Sequence, residues 1–238
     1  MAGNHLDGLP PVDSLYDYRG QVPTWLPYQQ GDVFRDVAIP GLEPGLAMLF
    51  MHPCTMRQGT QLRDRLTVVH VKLESPKKVL SAPAHWSGHN KVMPLPDLLG
   101  DGLTTHAADF MEIATVTAAE LPRASRVAQL SLTGRLHMQQ RIVFHLTRYA
   151  PKADDLERAT EALELEAQQQ ADWVQAGCGD NDATPSERVD GLETEYQDFL
   201  GASADPASVR SMLYGPAASQ AVRSIQQEIA VRYPRTTS

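Results

Sequence analysis

Apolar and polar positions change rhythm along the chain. From about 31 to 131 the apolar runs are short and alternating, which predicts strands. Asp32–Ile39 alternates through Val33, Val37 and Ile39, and Gly45–Met51 (GLAMLFM) is a continuous apolar run that predicts a buried strand. Leu66–Leu73 (LTVVHVKL) is β-branched, Leu103–Phe110 and Met111–Val116 predict two further strands, and Arg126–Leu130 a last short one. Pro40–Gly45 has turn composition, and Ser75–Met93, with Pro76, Pro83 and Gly88, predicts a long loop. Many short strands at this spacing favour a small barrel over a parallel sheet.

The rhythm then becomes helical. Thr133–Tyr149 predicts a helix capped by Ser131 or Thr133 and stopped by Pro151. Asp155–Val174 places Leu156, Ala159, Leu163, Ala167 and Trp173 or Val174 on one stripe. Thr184-Pro185-Ser186-Glu187 reads as N-cap, N1 and a capping-box Glu for a helix burying Val189, Leu192, Tyr196 and Phe199 or Leu200. Asp205-Pro206 and Pro216 predict the starts of two more helices. Ahead of both regions, residues 1–30 carry Pro10, Pro11, Pro23 and Pro27 among Tyr16, Tyr18, Trp25 and Tyr28. That density predicts an extended aromatic arm. The expected architecture is α+β: the arm at 1–30, a mainly β small barrel with a terminal helix at 31–150, and an acidic α-helical domain at 151–238.

Charge sharpens this division. The 238-residue chain has a net charge of −8, but residues 1–150 hold 14 Lys+Arg against 13 Asp+Glu, whereas residues 151–238 hold 7 against 16. All eight His lie in the first part. An acidic helical segment is expected to dock a protein partner or a second copy of the chain, as in a dimer. No run of about 20 apolar residues exists, so no membrane span is expected. Met1–Asp17 lacks the cationic flank and apolar run of a secretory signal. Two cysteines, Cys54 and Cys178, exclude a disulfide framework and favour a reducing, cytoplasmic setting. Arg outnumbers Lys 16 to 5, which points to a GC-rich bacterial or phage source.

Candidate chemistry concentrates around the second and third predicted barrel strands. Arg57, Arg63, Arg65 and Lys72 lie close in sequence and together suggest an edge for RNA phosphates. Cys54 beside Arg57 is a candidate thiolate nucleophile, against the plainer reading of a small buried cysteine. His85, His89, His106, Asp109 and Glu112 are weighed as metal ligands. Pro83 and Pro94 argue against a helix that would align the first two, so solvated loop histidines are expected and no metal is assigned. Phosphate-loop, dinucleotide-binding and nucleophile-elbow motifs are absent, so no cofactor is expected.

The order of these elements resembles the MazF/PemK family, toxin-type endoribonucleases with an SH3-like barrel. The resemblance spans about residues 31–148. It rests on Gly31-Asp32-Val33-Phe34 at the first strand, the apolar strand Gly45–Met51, the strand Leu66–Leu73, then Glu112–Thr117, Ala118–Leu121, Arg126–Leu130 with Ser131, and the following helix to Arg148. It implies a nucleic-acid-interacting protein of a toxin–antitoxin, defence or mobile-element system, and metal-independent cleavage of RNA. The family's catalytic Arg, at the start of the second strand, falls at Gly45, and its hydroxyl residue near Lys72–Ser75, leaving Ser75. The substitute set is Arg57 or Arg63 as the cation, with His52 or His70 as the base. The alternative is a catalytically inactive barrel acting as an interaction or assembly module. Antitoxins of this family are acidic and partly helical, so residues 151–238 can inhibit in cis, dimerise or dock a partner.

Overall fold

A computed structural model describes residues 6–58, 61–74, 90–179, 185–201 and 205–234. Contacts divide the chain into two units. One comprises Met1–Val22, Tyr28–Met56 and Arg63–Ala159; the other comprises Pro23–Pro27, Arg57–Leu62 and Thr160–Ser238.

The first unit is built on a curled, seven-stranded antiparallel sheet. Its strands are β1 (Tyr16–Arg19), β2 (Val33–Val37), β3 (Gly45–Leu49), β6 (Arg65–Leu73), β7 (Val92–Pro96), β8 (Thr105–Thr117) and β9 (Arg126–Leu130), in the order β1-β9-β2-β3-β6-β8-β7. Three helices accompany it: α1 (Val12–Leu15), α2 (Pro53–Met56) and α3 (Leu132–Thr147). Val33, Met48, Val69, Val71, Met93, Leu95, Phe110 and Leu130 form its core with Leu15 of α1 and Met138 of α3.

Three details differ from the sequence expectation. The proline-rich arm enters the sheet: Tyr16–Arg19 lies between Pro11 and Pro23, keeps its N–H donors, and pairs with β9. Val92–Pro96 is a strand despite two prolines, because β7 is the sheet edge and needs one ladder only. The two strands expected across 103–116 are one strand, β8, with an irregularity opposite His70.

A buried ion pair ties β2 to β9. Arg126 Nη1 donates to Asp32 Oδ2 at 2.8 Å, and both side chains are wholly buried. The same carboxylate accepts from the Gln29 backbone N–H and from Gln129 Nε2. Gly31 next to it has φ +90°, and a Cβ there would lie 2.5 Å from Leu130 Cδ1. Ser131 caps α3 by accepting from the Gly134 N–H, and α3 closes at left-handed Arg148, ahead of Pro151. Gly134 allows close approach to α1, since a Cβ there would lie 2.3 Å from the Leu15 carbonyl oxygen.

In the second unit, β4 (Arg57–Gln58) pairs with β5 (Gln61–Leu62), and the helices are α4 (Ala153–Cys178), α5 (Ser186–Leu200), α6 (Val209–Leu213) and α7 (Ala218–Arg232). The division between the units falls within α4. Trp173, Tyr196, Leu200, Leu213, Ala221 and Ile225 form one core, and Trp25 packs with Val174, Val189 and Leu192 in another. Ala159, expected on the buried stripe of α4, is exposed, while Gln169 and Gln170 are buried. Other amides bond their carbonyl oxygens: Gln197 Nε2 donates to Gln170 Oε1, and Gln226 Nε2 to Gln169 Oε1, while Gln170 Nε2 is buried without a hydrogen-bond partner among the described residues. The cap of α6 is Ser208, which accepts from the Ser211 N–H, three residues beyond the expected Asp205. Thr184 lies outside the described residues. No helix among the described residues is long and apolar enough to cross a membrane.

Candidate acid–base site on β6 and β8

Alternation along β6 puts Val69 and Val71 into the core and Leu66, Val68, His70 and Lys72 on the opposite face. Strand β3 adds Ala47 and Leu49 to that second face, since Ala47 pairs with His70 and Leu49 with Val68. Gly45 begins β3 on the same face, and a Cβ there would stand 3.9 Å from His70 Nε2.

Strand β8 completes the group through its irregularity. Val69 pairs with Ile113 and Val71 with Ala108, so Asp109–Glu112 lies against His70 alone. In a regular strand, residues three apart point to opposite faces. The extra residues reverse the alternation, and both Asp109 and Glu112 reach the His70 face. Asp109 steadies the turn of chain by accepting the Met111 N–H through Oδ1 at 2.9 Å.

Four side chains thus join. His70 Nδ1 lies 2.7 Å from Glu112 Oε2. Lys72 Nζ donates to Asp109 Oδ2 at 3.0 Å and to Glu112 Oε1 at 2.5 Å. The hydrogen bond from Lys72, followed by that from His70, holds the Glu112 carboxyl below its ordinary pKa. Lys72 in turn is held above its ordinary value, chiefly by its hydrogen bond to Glu112. Burial pushes Asp109 upward, but the Met111 N–H and Lys72 outweigh it and the net shift is downward. An ionised Glu112 can only accept, so Nδ1 is the donor in this pair, which in the neutral imidazole leaves the lone pair on Nε2. That is the arrangement of a histidine base oriented by a carboxylate.

The residues expected from sequence land in several places. Lys72 and His70 are in the group. Arg57 belongs to the second unit, where Nη2 donates to Glu193 Oε2 of α5 at 2.5 Å. Arg65 is exposed and stands seven residues from Lys72, about 23 Å along the strand and on the other face. Arg63 is exposed, and its backbone N–H donates to the Met56 carbonyl. Within the sheet unit, Arg65 and Lys72 do not share one face, because their separation on β6 is odd. His52 follows β3 at the end away from Gly45, and its carbonyl accepts from the Thr55 hydroxyl. Ser75, His85 and His89 lie outside the described residues, as does the Cys54 side chain. His106 is buried on β8 between Leu73 and Leu95, with its pKa lowered by burial. Among the described residues no group of three or more His, Cys, Asp or Glu can hold a metal ion.

Sequence reasoning missed Asp109 and Glu112 as partners of His70 and Lys72. The VHVK alternation already put His70 and Lys72 on one face; the bulge that adds the carboxylates left no periodic signal. No protein-family model matches this chain, and no curated protein matches it.

Proposed function

We propose that the sheet unit is an SH3-like, MazF/PemK-like nucleic-acid-interacting module that cleaves RNA without a metal, with His70 as its base. The observation that carries this reading is the His70–Glu112 pair beside Gly45, the position where the resemblance expects a catalytic Arg. Nε2 of His70 takes the proton of a ribose 2′-OH. The 2′-oxygen attacks the adjacent phosphorus, the P–O5′ bond breaks, and the 5′-oxygen takes a proton from solvent. Glu112 fixes the tautomer of the base. Lys72 spends two of its three donors on carboxylates, and its third offsets charge growing on the phosphate. In this reading the acidic helices of residues 151–238 dock a protein partner or a second copy, and the setting is the cytoplasm of a toxin–antitoxin, defence or mobile-element system.

A second reading has its own observation. Lys72 is paired with two carboxylates, while Leu73 and Met111 are exposed beside the group. Such a surface suits a catalytically inactive interaction or assembly module.

The test incubates the full chain with a mixed RNA pool in excess chelator. Cleavage that falls about 100-fold or more in His70→Ala, within the range for loss of a general base, supports the first reading. Cleavage unchanged in His70→Ala overturns it. An absence of both cleavage and salt-sensitive RNA binding also overturns it and leaves the module reading.

A further inference from the structure

Among the neighbours of His70 Nε2 is Gly45. Gly45 begins β3 on the same face and is only half-buried. A Cβ at Gly45 would meet the Glu43 carbonyl oxygen at 3.7 Å and His70 Nε2 at 3.9 Å, both ordinary contact distances, with no other atom of the described residues outside its chain neighbours within 4 Å. This glycine therefore answers no steric demand of the fold, unlike Gly31 and Gly134, where a Cβ would overlap neighbouring atoms. A strand start also favours almost any β-branched residue over glycine. Among the described residues, the missing side chain leaves space beside Nε2.

We propose that Gly45 is the access and specificity residue of the His70 site: its bare backbone is the opening through which a hydroxyl-bearing substrate reaches Nε2. This rests on the reading of His70 as a base. The other ring nitrogen is held by Glu112, so Nε2 is the atom at which the imidazole meets a reactant. Each carbon added at Gly45 fills the volume where an incoming oxygen must lie about 3 Å from Nε2. A methyl narrows the approach and a branched side chain closes it.

The experiment reads access chemically, apart from turnover. The full chain, Gly45→Ala and Gly45→Val are treated with diethyl pyrocarbonate near pH 7, and modification of His70 is followed by peptide mass spectrometry against the other histidines as internal references. Thermal melting runs alongside. The expected result is a several-fold slower modification of His70 in Gly45→Ala and a tenfold or greater slowing in Gly45→Val. The other histidines keep their rates and the melting temperature does not fall. Equal His70 rates in the three proteins overturn the proposal, as does a His70 that resists the reagent in the parent chain. Should Gly45→Val melt early, Gly45→Ala alone decides, since its added carbon sits at ordinary contact distance. RNA cleavage by the parent is measured in parallel. Its absence alongside the expected labelling pattern refutes the RNA reading and leaves the access role of Gly45 standing.

Discussion

Replacing Asp32 with Ala tests the frame that holds β2, and through it β3, in place. Asp32 accepts three hydrogen bonds, from Arg126 Nη1 at 2.8 Å, the Gln29 N–H at 3.0 Å and Gln129 Nε2 at 3.1 Å. Both members of the ion pair are fully buried. The substitution leaves a guanidinium charge without its carboxylate, at about 3–5 kcal/mol. Two further donors lose their acceptor, at about 1 kcal/mol or more each if water does not replace it. Partial relaxation around the truncated side chain makes 3–5 kcal/mol the working figure, a large part of the roughly 5–15 kcal/mol that stabilises a typical domain. Native-state amide hydrogen exchange is the suitable assay, because it reports each unit separately. Protection at β2 and β9 should fall by about 10²–10³ or more, while α5 and α7 keep theirs. Replacing both partners, Asp32→Leu with Arg126→Met, should recover much of the loss, since no unpaired charge then remains. A loss below about 1 kcal/mol for Asp32→Ala, or no recovery in the double variant, would refute the reasoning.

Other outcomes follow from named contacts. Gly31→Ala meets Leu130 Cδ1 at 2.5 Å and a φ of +90°, and should cost about 1–3 kcal/mol or more, read by denaturant melts of the sheet unit. Trp173→Ala removes the ring that packs at a tilt against Tyr196 and Phe199 in the second unit, and should cost about 3–5 kcal/mol, read by exchange at α5 and α7. Burial lowers the pKa of His106, so the unfolded chain binds a proton that the folded chain resists. Stability should therefore fall as pH drops from about 7 through the lowered folded value, and melts between pH 7.5 and 5.5 should show a shallower fall in His106→Leu. Asp109 and Glu112 have lowered folded pKa values, so their contribution is present above the ordinary carboxylate range and is lost as pH falls through those folded values.

Strands β2, β3, β6 and β9 and helices α3, α4 and α5 were legible because each carries a period, two or 3.6, over enough residues to be read. Tyr16–Arg19 and Val92–Pro96 were not, since nearby or included prolines argue locally against a ladder and only the edge position removes the conflict. The buried glutamines of α4 were also invisible, because the acceptor bonds that help them enter a core come from distant partners, here Gln197 and Gln226. The site was half legible. The VHVK alternation carries a signal that sets His70 and Lys72 on one face, but Asp109 and Glu112 join them through an irregularity in pairing that depends on a neighbouring strand. The sequence cluster of cations shows the same limit from the other side. Closeness in sequence says little about a face when strand parity separates Arg65 from Lys72 and a long-range ion pair takes Arg57 to Glu193.

The most direct measurement of the central claim is single-turnover cleavage, in excess chelator, of an RNA oligonucleotide and its 2′-deoxy counterpart by the parent chain and by His70→Ala. The account predicts that the parent alone cuts, that it cuts RNA alone, and that the product carries a 2′,3′-cyclic phosphate. Cleavage of the deoxy strand, or a His70→Ala rate equal to the parent's, would contradict it.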